Sequence, residues 1–318
     1  MLTLADLVFF ALGAIIGSFL NVCIYRMPRE KSIVTPGSSC PHCDTPIRFY
    51  ENIPLVSYLL LRGRCTSCGG SISARYFGVE LLTALLFLIL FRALGLSFDL
   101  FVFLIFASVL IVLSFIDFEF RIIPDVLSLG GLVAGLVLAF FRGPTVPSQA
   151  GSVLVTLMIA GLLLTVALLF VWRRDFESRL LEYLASLGGL LVGLTLLPFS
   201  GPSFTWWGDA LPGILVGQGV LWAIAFAYEL VRKQEGMGGG DIKLLAMIGA
   251  FCGMKGVIFS LVSGSLLGSL VGIPLMIVKR ADAKYALPFG PFLSFGALLF
   301  VLAGNRITYA FINFISPR

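Results

Sequence analysis

FLIFASVLIVLSFID, residues 103–117, is a run of fourteen uncharged residues closed by one carboxylate. The stretch 99–116 around it has about the length that a helix needs to cross bilayer hydrocarbon, ~20 residues. Comparable apolar runs recur at about 4–25, 78–95, 126–141, 152–172, 184–199, 211–231, 242–254, 257–278 and 288–304. Of the 318 residues, 58% are hydrophobic and 12% charged, whereas soluble domains carry about 25% charged residues. The expected fold class is therefore an all-α, polytopic membrane protein of about ten transmembrane helices, in contact with the lipid bilayer.

The first run, MLTLADLVFFALGAIIGSFLNVCIY, has Asp6 where a signal peptide would have basic residues, and it lacks a small-residue cleavage site. It is expected to be a retained helix, residues 1–25, with its N-terminus outside. On that topology 17 of the 22 Lys and Arg lie on the inner side, leaving Arg92, Arg142, Lys255, Arg306 and Arg318 outside. That bias agrees with the positive-inside rule. The net charge of +5 gives no sign of a nucleic-acid partner. No internal repeat and no low-complexity tract is evident.

One segment, 26–77, reads as soluble and by this topology cytoplasmic. It carries Cys40-Pro-His-Cys43 and, after 21 residues, Cys65-Thr-Ser-Cys68. Two C-x2-C pairs on turns make a tetrahedral thiolate cage for structural zinc. Gly69 and Gly70 follow the second pair, where a tight knuckle turn needs them. The alternative is two disulfides or unpaired thiols, and a reducing cytoplasm opposes disulfides. His42 is the one histidine of the chain and lies between two candidate ligands, so it reads as a bystander. Without other histidines, a Ser-His-Asp or Cys-His mechanism has little to use. Cys23 and Cys252 sit in apolar helices and read as packing residues.

Acid–base chemistry is left mainly to carboxylates. Asp117 ends its apolar run where an acid is a poor helix cap. Either the helix has ended and the side chain reaches headgroup water, or the charge serves a function at membrane depth. Asp241 follows Gly238, Gly239 and Gly240 in GMGGGDIKLLAMIGA, residues 236–250. By itself it reads equally as an N-cap. Asp125, after Ile-Pro, reads as the N-cap of the next helix, and Glu119 as a solvated acid in an inner loop, 117–125. On the expected topology Asp117 and Asp241 lie on one side of the membrane at similar depth. Two carboxylates brought together would share a proton, and such a pair can activate water and protonate a leaving amine. Glycines before Asp241 would let an extended chain approach it closely.

These stretches together resemble the type IV prepilin leader peptidases, bifunctional signal peptidases and N-methyltransferases. GSFLNVCIYRMPRE (17–30) resembles the family's first helix and its exit. ENIPLVSYLLLRGRCTSCGGSISARY (51–76) resembles the second half of its zinc domain. SFIDFEFRIIPD (114–125), EGMGGGDIKLLAMIGAF (235–251) and LPFGPFLSFG (287–296) resemble three later motifs. The resemblance implies a bacterial inner-membrane enzyme whose catalytic aspartates are Asp117 and Asp241, with Gly238–Gly240 as the active-site loop. It implies zinc on Cys40, Cys43, Cys65 and Cys68, prepilin or pseudopilin substrates with a basic leader, and cleavage on the cytoplasmic side. It also implies methylation of the new N-terminus with S-adenosylmethionine, for which the residues name no site. Two departures stand out. Asp117 and Asp241 are 124 positions apart, which points to a two-helix insertion at 143–205 within a peptidase region 78–318. RYFGVE (75–80) lacks the family's usual proline.

The competing reading is a transporter with the two aspartates as proton or ion sites and the cysteines as a regulatory zinc module. Transport sites lie near the midplane, often between repeated halves, whereas both acids here fall at helix ends. A scaffold that recruits partners through the zinc module would not need the two acids.

Overall fold

The computed structural model describes residues 2–141, 206–233, 238–279 and 288–315. Among these, eight α-helices and no strand are found: α1 (Leu4–Arg26), α2 (Val56–Leu60), α3 (Ala74–Leu94), α4 (Phe98–Phe120), α5 (Asp125–Phe141), α6 (Trp206–Arg232), α7 (Gly239–Lys279) and α8 (Gly290–Ile315). The chain divides into two compact units, Met1–Pro124 and Asp125–Arg318.

Among the described residues, five helices are long and apolar enough to cross a membrane: Leu4–Arg29, Ala74–Leu94, Phe98–Phe120, Ala210–Arg232 and Gly239–Ile277. Asp125–Ala139 and Gly290–Gly304 are apolar but shorter. The chain is a multi-pass membrane protein. The spans expected at 242–254 and 257–278 correspond to the two parts of α7, which is divided by a non-helical kink at Gly253 (φ 66°, ψ −174°). The spans expected at 152–172 and 184–199, and with them the insertion at 143–205, lie outside the described residues.

In the first unit α1, α3 and α4 pack on one another. Thr3 and Asp6 close a capping box at the start of α1, a device worth about 0.5–2 kcal/mol. Asp6 is only 4% exposed. A carboxylate in that position needs a partner, and Arg92 near the end of α3 supplies it through Nε at 3.0 Å and Nη2 at 3.1 Å. Phe9 stacks on Phe91 at 4.3 Å beside this pair. The α1–α3 seam is close: a Cβ on Gly13 would stand 2.7 Å from Ala84 Cα, the small-residue contact by which membrane helices approach.

The opposite end of the unit is tied by Arg29, whose guanidinium lies 4.2 Å from the Tyr25 ring centre and 5.0 Å from that of Phe120. Arg75 at the start of α3 pairs with Glu119 of α4. The sequence reading of 117–125 as a loop is therefore corrected: α4 continues to Phe120, and Glu119 is an ion-pair partner on a helix. Arg121 stops α4 in the left-handed conformation (φ 56°, ψ 37°), and Pro124 follows.

In the second unit α5, α6 and α8 pack against α7. At the α6–α7 crossing the backbones touch: a Cβ on Gly249 would lie 2.2 Å from the Gly213 carbonyl oxygen. No side chain fits there, so glycine at both positions fixes where the two helices cross.

Candidate functional site

The cysteine module consists of two knuckles of the same build. Cys40 N–H donates to Thr45 O at 3.0 Å and Asp44 N–H to Cys40 O at 2.9 Å. Cys65 N–H donates to Gly70 O and Gly69 N–H to Cys65 O, both at 2.9 Å. Antiparallel bridges Ser39–Pro46 and Arg64–Ser71 close the two turns. Residues 38–47 and 63–72 are thus a short structural repeat, which the sequence reading missed because little besides the cysteines matches. The left-handed position is Asp44 (φ 53°) in one knuckle and Gly69 (φ 70°) in the other.

The repeat brings the four cysteines together. Cys40 Sγ is 3.9 Å from Cys68 Sγ, and Cys43 Sγ is 4.0 Å from Cys65 Sγ. All four sulfurs lie within 4.8 Å of one another, and no disulfide joins them. Zinc bonded to four thiolates at ~2.3 Å needs sulfur separations of roughly 3.8 Å, so the cluster fits a tetrahedral ion. The Thr45 hydroxyl and backbone hold the Cys43 thiol down to about 6. Backbone hydrogen bonds from Cys68 and Ser67 lower that of Cys65. The Gly70 backbone lowers Cys68, but the Cys43 and Cys65 thiols and desolvation outweigh it and push Cys68 up to about 11. Crowded thiols cannot all ionise on their own, and a divalent ion removes that conflict. His42 is outside the sulfur cluster, with Nε2 3.1 Å from Ser71 O. Its ring crosses onto the second knuckle, where a Cβ on Gly70 would meet it at 2.9 Å.

Asp117 occupies the last turn of α4, and its carbonyl accepts Arg121 N–H at 2.8 Å. It is 6% exposed. The alternative of a side chain reaching out to headgroup water is thus replaced by an enclosed carboxylate. Its helix end is the one that carries the Arg75–Glu119 pair, on the side of the cysteine module.

Asp241 belongs to the second unit. Gly238 is exposed and α7 starts at Gly239, so Asp241 sits in the first helical turn and not at the cap. Its N–H reaches Gly238 O at 3.3 Å. Acids are favourable in a first turn, and the three preceding positions carry no side chain.

Asp125 is the first residue of α5. Its Oδ1 accepts from Lys243 Nζ at 2.6 Å; the lysine side chain is 9% exposed and the aspartate 61%. The sequence reading did not single out Lys243. A cation two residues after Asp241 in an apolar helix was the available signal. The pair gives Asp125 a structural duty. Asp125→Ala is expected to lower stability by about 1–3 kcal/mol, less than the ~3–5 kcal/mol of a fully buried pair because the aspartate is exposed. Thermal unfolding in detergent measures it, and Asp125→Ala with Lys243→Met should recover most of the loss. An unchanged midpoint in the single variant would remove this role.

Comparison with known proteins places these features. The model of the bacterial peptidase A24 N-terminal domain matches residues 11–94. That of the type IV leader peptidase family matches 104–174 and 162–273. The chain belongs to the type IV leader peptidase family. A prepilin leader peptidase/N-methyltransferase of Aeromonas hydrophila is 33% identical over 94% of this chain and 91% of its own length. Proteins of the same name from Stutzerimonas stutzeri (31% identical, 95% and 92% covered) and Dichelobacter nodosus (31%, 93% and 91%) are similar throughout. No solved structure matches the chain. The enzyme class expected from the motifs, a leader peptidase, is the class that this family membership carries. Within the leader peptidase frame, the sequence-predicted cysteines are brought together in the first unit, while Asp117 and Asp241 fall in separate compact units.

Proposed function

We propose that this leader peptidase removes the basic leader of type IV prepilins or pseudopilins with Asp117 and Asp241 as its catalytic pair, and N-methylates the new N-terminal residue. One carboxylate takes a proton from water as it attacks the scissile carbonyl. The other, protonated, hydrogen-bonds the carbonyl oxygen and then supplies the proton that the departing amine needs. The observation that carries the reading is the burial of Asp117 at 6% exposure near the end of a helix whose preceding seventeen residues, 100–116, are uncharged. An acid there gains nothing for the helix and is expensive at membrane depth. The glycine entry to α7 supports the second half, since Gly238, Gly239 and Gly240 leave space for an extended substrate beside Asp241.

The cysteines Cys40, Cys43, Cys65 and Cys68 hold structural zinc in this reading, and S-adenosylmethionine is the methyl donor. The functional division is a first helix 1–25, the zinc module 26–77 and a peptidase region 78–318 that includes the insertion. Ten spans in the inner membrane, with the N-terminus outside, put the module and both aspartates on the cytoplasmic side.

The purified chain is expected to cut a prepilin-like substrate once, after its basic leader, as read by mass. With S-adenosylmethionine present the mature product should gain one methyl mass. Absence of any cut by folded protein, together with proton-coupled flux in vesicles, would favour the transporter reading instead.

A further inference from the structure

A cavity of 1140 Å³ opens within the first unit, between the C-terminal half of α1, the segment 31–72 and the start of α3. Cys40 and Cys65 stand in its wall, so the cysteine cluster and the cavity share a boundary. Asp117 does not line it. Small-molecule sites run to about 300–1,000 Å³, so this space admits a cofactor together with the end of a peptide.

Two buried polar side chains on the apolar helices line this cavity, and packing gives no reason for either. Asn21 on α1 is 2% exposed. Its Nδ2 donates to Tyr76 O at 3.0 Å, and its Oδ1 has no hydrogen-bond partner. A buried acceptor left in that state is costly unless a ligand reaches it. Glu80 on α3 is 8% exposed. Its Oε2 accepts Leu55 N–H at 2.8 Å and the Ser18 hydroxyl also bonds the carboxyl, but no cation pairs with it among the described residues. A carboxylate removed from water calls for a positive partner.

The backbone is strained to hold this arrangement. Leu55 adopts φ 62°, ψ −49°, and Val56 N–H closes on Pro54 O at 2.7 Å. That is a γ-turn of the rare, positive-φ kind. Strain of this type persists where the surroundings over-determine it, and such places are commonly ligand sites. Here the turn aims Leu55 N–H at Glu80. Ser57 Oγ braces it by accepting from Ile53 N–H and donating to Tyr50 O, both at 3.0 Å. The segment NIPLVSY, residues 52–58, thus fixes the Glu80 carboxylate of α3. Tyr25, Tyr58 and Tyr76 line the same space, and aromatic faces attract cations.

We propose that this cavity is the methyl-donor site, taking the sulfonium nucleoside S-adenosylmethionine, with Glu80 against its positive charge and Asn21 Oδ1 accepting a hydrogen bond from it. The proposal rests on the N-methyltransferase half of the function given above. The terminal ammonium of the substrate peptide carries the same charge, so cofactor binding is measured without peptide.

Equilibrium binding of S-adenosylmethionine and of its uncharged-sulfur product, S-adenosylhomocysteine, is compared in the full chain. Glu80→Gln, which can still accept Leu55 N–H, is expected to weaken S-adenosylmethionine at least tenfold and S-adenosylhomocysteine less, with zinc content unchanged. Ultraviolet crosslinking of labelled S-adenosylmethionine to the wild type gives a readout that no variant's folding can confuse. Label is expected in residues 15–80. Label confined to 206–315, or wild-type affinity in Glu80→Gln, overturns the site while methylation of substrate leaves the activity standing. Glu80→Gln that binds the cofactor normally but methylates poorly also overturns it, by assigning the charge to the peptide. A folded wild type that neither binds the cofactor nor methylates removes the activity and the site together.

Discussion

Asp117→Asn and Asp241→Asn are each expected to stop leader cleavage, with a fall of about 10²- to 10⁴-fold, the usual worth of a positioned acid or base. The amide is nearly isosteric with the carboxylate, so enclosed Asp117, at 6% exposure, is replaced without a cavity. Asn cannot take a proton from water, and the remaining partner then has no counterpart for the second proton transfer. The double variant should be little worse than either single one, because groups acting as a unit are not additive. Cleavage of a prepilin-like substrate, normalised to protein folded in the membrane fraction, is the measurement. Asp125→Ala should retain cleavage, since its carboxylate is paired with Lys243. If Asp125 proves indispensable to the cut and Asp117 does not, the pair is assigned wrongly.

Cys65→Ser, or extraction of metal by a strong chelator, is expected to empty the module of about one zinc per chain and to loosen residues 31–72. Structural zinc supplies roughly 10–16 kcal/mol of apparent folding energy in small zinc peptides. Here α1 and α3 clamp the segment from both sides, so the helices should remain while the knuckles open. Limited proteolysis should then cut between the two C-x2-C pairs, with α1 and α3 protected. Cys40 and Cys65 also wall the cavity beside Glu80, so cofactor binding should fall along with zinc. A wild type that is fully folded and free of metal would sink the zinc assignment. Sensitivity to a reductant and not to a chelator would point to disulfides, which the four free thiols oppose.

Much of this was legible along the chain because it depends on short-range chemistry. A helix that crosses a bilayer must be apolar for its full length, and α1, α3, α4 and α6 fall where the runs 4–25, 78–95, 99–116 and 211–231 put them. A four-thiolate site needs two short-spaced pairs on turns, so Cys40, Cys43, Cys65 and Cys68 could be named before their sulfurs were seen to converge. Helix ends were less legible. The cap alternative for Asp241 fails because the residue lies inside the first turn, and Glu119, read as a solvated loop residue, is exposed but sits on a helix and pairs with Arg75. A terminal turn is won or lost on the contacts it makes with neighbours, which composition does not contain.

Residue types and spacing alone pointed to the membrane class, the four-cysteine cluster and the candidate carboxylates, since each reading follows from what a bilayer, a zinc ion or a proton transfer requires locally. Pairings between distant positions came from packing. Asp6 finds Arg92 86 residues away, Lys243 finds Asp125 118 residues away, and Gly213 meets Gly249 backbone to backbone. Asn21, Pro54 and Glu80 border one cavity although no sequence period links them. Each such meeting depends on how far two helices are rotated and slid against each other. That choice is made by the sum of many small contacts over the whole bundle, and no single stretch of the chain encodes it.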